Sequence, residues 1–216
     1  MREIRIKMLL PEFIYQLAVK TLLLYRRLRY GDAFRMLPLN KGLFALVSPE
    51  DYDRLAAFKW FAEKRNNTWY AVRQTRSKTN PKKQCRVRMH REVLNPPDDL
   101  FVDHQNHNGL DNRRSILRIV TLLQNGFNKR KTTALSSSRF KGVCWSKREG
   151  KWRAQGRRNG RQFLIGYFDN EEDAARAYDA WAKTAFGQYA SLNFPPPKKG
   201  LSDKDSFLLC YGNHKD

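Results

Sequence analysis

Residues 102–125, VDHQNHNGLDNRRSILRIVTLLQN, decide how this chain is read. Val102-Asp103-His104 ends a short apolar run, Asn106-His107-Asn108-Gly109 has the composition of a turn, and Ile116 to Val120 gives a second strand signal. Thr121 stands three residues ahead of Gln124, the spacing of a capping box. The expected order is strand, loop, strand, helix. Adjacent side chains on a strand leave by opposite faces, so Asp103 and His104 point a carboxylate and an imidazole in two directions. Asn125 is expected in the first helical turn, where free amides and the helix dipole favour an anion such as phosphate. A carboxylate and an amide oxygen are hard ligands, suited to a magnesium-type ion that keeps waters and takes its remaining ligands from phosphate. Such an ion stabilises charge building up on phosphorus and on the leaving oxygen. An imidazole with an ordinary pKa of about 6.5 can take the proton from attacking water. The chemistry these groups suit is phosphodiester hydrolysis.

The same residues carry a family likeness. His90-Arg91, Val102-Asp103-His104, Gly109-Leu110-Asp111-Asn112-Arg113-Arg114-Ser115, Leu117-Arg118, Thr121, Gln124-Asn125 and Asn128 resemble the HNH endonuclease family, in the branch found in phage homing enzymes. The resemblance implies a ββα metal finger with one divalent ion, magnesium or alternatively manganese, held by Asp103 and Asn125. It implies His104 as general base, Asn112 as a hydrogen-bonding brace of the loop, and His90 in a structural or phosphate-contacting role. Cleavage would leave a 5′-phosphate and a 3′-hydroxyl. Ile116 departs from the Asn expected before Leu-Arg, and Gln105 from an apolar residue after the Asp-His pair. Neither removes a proposed catalytic group. His107 and His214 are expected at the surface, and Asn128 on the helix surface or against phosphate.

Upstream, residues 1–39 read as a basic amphipathic helix region and 40–131 as the nuclease domain with N-terminal α/β support. Pro11-Glu12 suits a first helical turn, and Phe13, Leu17, Thr21, Leu24 and Leu28 recur at helical spacing, with Arg26, Arg27 and Arg29 on the polar side. Strands are expected over 43–47, 69–73 and 86–90, with a short helix after Ser48-Pro49-Glu50 and a basic loop over 76–83. The apolar stretch from Phe13 to Leu24 contains Gln16 and Lys20 and falls short of the roughly 20 residues a membrane span needs. No signal-peptide cleavage site is read, so a cytoplasmic protein without membrane partners is expected. Cys85, Cys144 and Cys210 form no C-x-x-C pair, which argues against a disulfide framework and a structural zinc.

Downstream, the basic run Lys129-Arg130-Lys131 leads into a Thr- and Ser-rich linker over 132–138. The next domain, 139–197, shows three short strand signals, the hairpin dipeptide Asn159-Gly160, and a helix capped by Asp169 or Asn170 that runs to about Phe186. Residues 198–216 read as a tail. From Arg139 to Arg161 there are nine Lys/Arg against one acid, Glu149, while the helix carries Asp169, Glu171, Glu172, Asp173 and Asp179. A basic sheet with an acidic helix behind it suits nucleic acid. Alternation places Lys151, Arg153, Gln155 and Arg157 on one face and Trp152 and Ala154 on the other.

Lys141-Gly142-Val143, Gly150-Lys151-Trp152-Arg153-Ala154, Ile165-Gly166-Tyr167-Phe168, Glu172-Asp173-Ala174-Ala175-Arg176-Ala177-Tyr178-Asp179 and Leu192-Asn193-Phe194-Pro195 are similar to the plant APETALA and ethylene-response-factor DNA-binding domain. That resemblance implies a three-stranded antiparallel sheet packed on one helix and entering the major groove. Cys144, Ser146, Gln155 and Leu164 stand where plant members carry other residues, so the fold transfers and the base specificity does not. The expected DNA contacts are Lys129, Arg130, Lys131, Arg139, Lys141, Trp145, Lys147, Lys151, Arg153, Gln155, Arg157 and Arg161. The whole chain, of α+β class and net charge +21, is expected to be a monomeric, metal-dependent homing-type endonuclease acting on double-stranded DNA. The rival reading is a DNA-binding regulator whose finger is an inactive platform.

Overall fold

The computed structural model describes residues 11–65, 68–76, 83–128, 137–196 and 202–211. Lys129, Arg130, Lys131, His214, most of the 76–83 loop and most of the 132–138 linker lie outside them. The chain forms two compact units, residues 1–119 with 198–216, and residues 120–197.

The first unit begins with α1 (Glu12–Tyr30), closed by Gly31 at φ 68°. Its predicted apolar stripe does not face the core. Phe13, Leu17, Leu24 and Leu28 are exposed, Leu28 by 78%, and the one fully buried side chain is Tyr15. The packed edge runs through Tyr15, Val19, Leu22, Arg26 and Tyr30, again at helical spacing. Two cations select it. Arg35 donates to the Tyr15 hydroxyl at 2.7 Å, and Arg26 donates to the Phe34 carbonyl at 2.6 Å with its guanidinium over the Phe34 ring. Arg26, expected on the polar side, therefore faces the protein.

Strands β1 (Arg35–Pro38) and β2 (Phe44–Val47) pair antiparallel, and β2 pairs parallel with β7 (Asp111–Asn112), Leu46 opposite Asp111 and Val47 opposite Asn112. Between them come α2 (Pro49–Ala56) and the antiparallel sheet β3 (Phe61–Arg65), β4 (Thr68–Arg76) and β5 (Gln84–Arg88). The strand expected to reach residue 90 stops at Arg88. Its end turns into α3 (Met89–Leu94), so His90 is helical and is buried with Met89 and Val93. β6 (Phe101–His104) pairs with β8 (Leu117–Val120). The segment read as a tail contains a helix, which we label α6 (Asp203–Tyr211), packed on β2. Its Cys210 and Tyr211 join Phe34, Leu46, Val47, Leu55, Met89 and Leu110 in one core.

The second unit opens with α4 (Leu122–Phe127), which has the expected capping box: Gln124 N–H donates to Thr121 Oγ1 at 3.2 Å, and Thr121 N–H to Gln124 Oε1 at 2.9 Å. β9 (Val143–Ser146), β10 (Lys151–Arg158) and β11 (Arg161–Phe168) form an antiparallel sheet in the order β11-β10-β9, and α5 (Glu171–Phe186) packs across it. The β10–β11 hairpin turns on Asn159 and Gly160, both at positive φ, the requirement of a two-residue type I′ turn. Asn170 caps α5 by accepting from Glu172 N–H at 2.7 Å. Asp179 does not join the helix's solvent face. It is buried and accepts the backbone N–H groups of Asn193 and Phe194, both at 2.8 Å, pinning the returning chain.

The sheet meets α5 most closely at Gly156, where an added Cβ would collide with the Trp181 indole. Gly156→Ala should therefore cost about 1–3 kcal/mol, the usual range for overpacking. A thermal unfolding transition of the second unit unshifted by this substitution would contradict that contact.

Candidate functional site

His104 ends β6 and His90 lies in the first turn of α3, and their rings meet edge to face at 5.0 Å between centroids. Tyr70 of β4 completes the group at 5.7 Å from His90 and 5.9 Å from His104. Both imidazoles are buried. Burial pushes the His104 pKa down to about 4, against the opposing pull of Asp111, Asp103 and the fully buried Asn112 beside it. His90 falls further, to about 2, through burial and then through the neighbouring charges of His104, Arg88 and Arg91. Both rings are neutral at pH 7, so His104 has a lone pair free of a proton. Tyr70 was not marked by any sequence motif. Its register opposite Glu63 puts it on the face of its sheet away from Ala62 and Ala71, and only the fold brings it to the histidines.

Asp103 is buried next to His104, and its Oδ2 accepts from Arg118 Nε at 2.9 Å and Nη2 at 2.6 Å. Arg118 lies on β8, so the two paired strands hold the carboxylate between them. Asn112 is the last residue of β7, which binds it into the β1-β2-β7 sheet.

The loop between these strands is held by a buried carboxylate. Asp111 has zero exposure and accepts from Arg113 at 2.8 Å and 2.7 Å, from Asn106 Nδ2 at 2.8 Å, and from the Ser206 hydroxyl of α6 at 2.7 Å. Arg113 also donates to Asp32 at 2.8 Å. Asn108 Nδ2 donates to Ser206 Oγ at 3.1 Å, and its Oδ1 accepts Leu110 N–H at 3.1 Å. Arg114 reaches the other way, donating to both Asp51 oxygens at 2.7 Å and 2.9 Å. Sequence reasoning saw Asn106 and Asn108 only as turn formers. The spacing of two asparagines around a histidine at positive φ gave no sign of their partner 98 to 100 residues later.

Asn125 belongs to the second unit and is half-buried on α4. Its backbone N–H is not free for an anion, because it already donates to the Thr121 carbonyl at 3.0 Å. Among the described residues, no group of three or more His, Cys, Asp or Glu side chains is placed to hold a metal ion. What the first unit offers a hard divalent ion is the Asp103 carboxylate, whose oxygen chemistry fits such an ion once Arg118 shares it. Asn128 is buried at the end of α4 and not on a solvated surface, and His107 is half-buried.

The expected DNA contacts of the second unit divide. Lys151, Arg153, Gln155 and Arg157 lie on the sheet face turned away from α5, where Arg153 stands opposite Cys144 and Tyr167, and Arg157 opposite Gln162. Arg157 Nε donates to the Gly160 carbonyl at 3.2 Å, and Lys151 pairs with Asp169 at 3.1 Å. Lys147 is exposed in the turn after β9, and Arg161 is exposed at the start of β11. Three others face elsewhere. Trp145 pairs with Trp152 across the strands and shares the helix-facing side, its ring 5.1 Å from Trp152. Arg139 donates to Glu172 and covers the Phe140 ring. Lys141 turns inward, donating from Nζ to the Phe127 carbonyl at 2.9 Å, and burial lowers its pKa to about 8 against the pull of Asp179. Alternation on one long strand identified the outward residues correctly, whereas isolated cations gave no orientation.

No helix of the described residues is long and apolar enough to cross a membrane. Residues 138–188 match the AP2 domain family. Over 61 residues, 28% of this chain and 20% of the relative, the chain is 39% identical to an AP2-like ethylene-responsive transcription factor of Arabidopsis thaliana. Over 166 residues, 74% of this chain and 80% of the relative, it is 32% identical to an uncharacterized HNH endonuclease, L560, of Acanthamoeba polyphaga mimivirus. With four fifths of that relative matched at this identity, the chain belongs to the HNH endonuclease family and joins to it an AP2 domain.

Proposed function

We propose that the protein is a metal-dependent, homing-type endonuclease of the cytoplasm that hydrolyses phosphodiester bonds in double-stranded DNA. The observation that carries this reading is the neutral, buried His104 beside Asp103, with the fully buried Asn112 next to it. His104 takes the proton of the attacking water. Neighbouring His90 and Tyr70 hold the ring's plane by edge contacts. Asp103 would contribute to holding a magnesium or manganese ion, which when bound supplies Lewis-acid stabilisation of the charge on phosphorus. Lys151, Arg153, Gln155 and Arg157 bind the duplex, chiefly through its phosphates.

A second reading is favoured by one contact. Arg118 already neutralises Asp103 within the protein, as it would in a platform that binds DNA without cutting it.

Nicking of supercoiled plasmid by the purified protein in Mg²⁺ or Mn²⁺ decides between these. The nuclease reading expects cleavage that EDTA abolishes and that His104→Ala reduces at least a thousandfold, with duplex affinity held within about twofold, in line with loss of a general base. DNA binding without nicking in either metal leaves the platform reading standing.

Arg157→Ala should lower the slope of log K against log salt by about one unit, the signature of one lost phosphate contact. An unchanged slope removes Arg157 from the backbone contacts.

The buried histidines also set a pH dependence. The His90 pKa lies below its unfolded value, so its contribution to stability is complete above about pH 6.5 and is lost as pH falls toward the folded value of about 2. Between pH 6 and 5 the loss approaches about 1.4 kcal/mol per pH unit for this one imidazole. Urea unfolding of His90→Gln should show a shallower pH dependence than wild type by about that amount. Parallel curves would mean that His90 is not buried in its neutral form.

A further inference from the structure

The β3-β4-β5 sheet has one face against the core, and its other face is covered around Tyr70 and Val72 and open toward Arg76. Ala62 and Ala71 are buried on the inner side. Register assigns the other side: Tyr70 opposite Glu63, Val72 opposite Phe61 and Arg88, Gln74 opposite Arg86, and Arg76 opposite Gln84. Arg65 follows two residues after Glu63 and shares that face. Arg65, Gln74, Arg76, Gln84 and Arg86 are exposed. Arg88 lies with its guanidinium 5.8 Å from the Tyr70 ring. Four arginines thus share a surface with a single acid, Glu63, which Arg86 and Arg65 flank. Between Arg65, opposite Thr68, and Arg88, opposite Val72, stands Tyr70, in edge contact with both His90 and His104.

We propose that this outer face is a second duplex-DNA surface, which takes backbone phosphates on one flank of the scissile bond. The occupant follows from charge and dimension. A folded surface with four guanidiniums, two amides and one compensated carboxylate is complementary to a polyanion. Guanidinium is the side chain best suited to bind phosphate oxygens in pairs. From Tyr70 to Arg76 the strand advances about 20 Å at roughly 3.3 Å per residue, the length of about six base-pair steps. One flank of the surface runs from the ring cluster that holds the general base, so a duplex whose scissile phosphate reaches His104 meets Arg88 first and Arg76 last along β4 and β5, with Arg65 on the other side of Tyr70. This inference rests on the DNA reading of the protein and adds a contact area within the nuclease unit itself.

The test compares the full-length Arg76→Gln/Arg86→Gln double variant with Lys64→Gln, an exposed cation on the opposite face of the same sheet. A 40-base-pair duplex, without divalent metal, is titrated by fluorescence anisotropy across a salt series, and each protein is also assayed for plasmid nicking in Mg²⁺ and Mn²⁺. The expected result is a salt slope lower by about two units and binding weaker by about tenfold at 0.1 M salt for the double variant, with Lys64→Gln unchanged. An unchanged slope in the double variant overturns the proposal, as does an equal loss in Lys64→Gln, which would make the effect one of net charge. Loss confined to single-stranded DNA or to a polyglutamate competitor also overturns it, in favour of another occupant. Nicking separates this claim from the one beneath it. A reduced slope with no nicking by wild type keeps the surface and removes the nuclease, while nicking with an unchanged slope does the reverse.

Discussion

The first unit depends on the buried charge of Asp111. A carboxylate withdrawn from water costs several kcal/mol unless its oxygens are fully occupied, and here both are: Arg113 supplies two donors, Asn106 one and Ser206 one. Arg113, equally buried, has Asp32 as its second acceptor. Losing one partner of such a set leaves an uncompensated charge, a penalty of about 3–5 kcal/mol in comparable cases. The pair therefore fixes where Asp32, the 106–111 loop and α6 must come together. Since Ser206 lies 95 positions beyond Asp111, the chain that forms the second unit runs out of the first and returns to it.

This anchor is what makes the neighbouring residues usable. Asp111 and Asn112 form β7, the strand that extends β2 in parallel, and Arg114 ties the next residues to Asp51 on α2. Asn112 thereby reaches His104 from a rigid sheet. The Asp111 charge also acts on that ring, opposing the effect of burial on its proton affinity. One carboxylate thus sets both the position of Asn112 and part of the electrostatics of His104. The N-terminal support and the C-terminal helix belong to the same construction: α6 adds Cys210 and Tyr211 to the core formed by β1, β2 and α2.

How much of this could be read from sequence depended on the range of the interaction that decides each feature. The Thr121 to Gln124 capping box, the Asn159-Gly160 turn, the Asn170 cap and the alternating faces of β10 are settled within a few residues, and the structure has them where the sequence placed them. The motif around Asp103, His104 and Asn112 was legible because it is long and ordered. The face of α1 was not, since the helix carries two apolar stripes at equivalent spacing and the choice falls to Arg26 and Arg35, which bond across to Phe34 and Tyr15. His90 was placed on a strand because β5 and α3 abut without a turn residue between them. Ser206 and Tyr70 were invisible for the same reason. Their roles are created by contacts with residues far away in the chain, and no local pattern marks them.

The charge of the chain shows the same separation between composition and placement. The net +21 is what remains of 42 Lys and Arg after 21 Asp and Glu, and several of the 42 are committed internally. Arg113 and Arg118 neutralise buried carboxylates, Arg73 bonds Glu92, Arg114 bonds Asp51, and Lys141 spends its ammonium on a backbone carbonyl. These groups hold folded structure. Among the described residues, cations stand on the outer side of alternating strands on β10 of the second unit and on β4 and β5 of the first. Sheets suit this division because period-two geometry lets each strand place hydrophobic and basic residues on opposite sides without a change of backbone. The excess of Lys and Arg is therefore best read strand by strand: an arginine that alternates with buried neighbours points away from the packed side, and one next to a buried Asp is held by it.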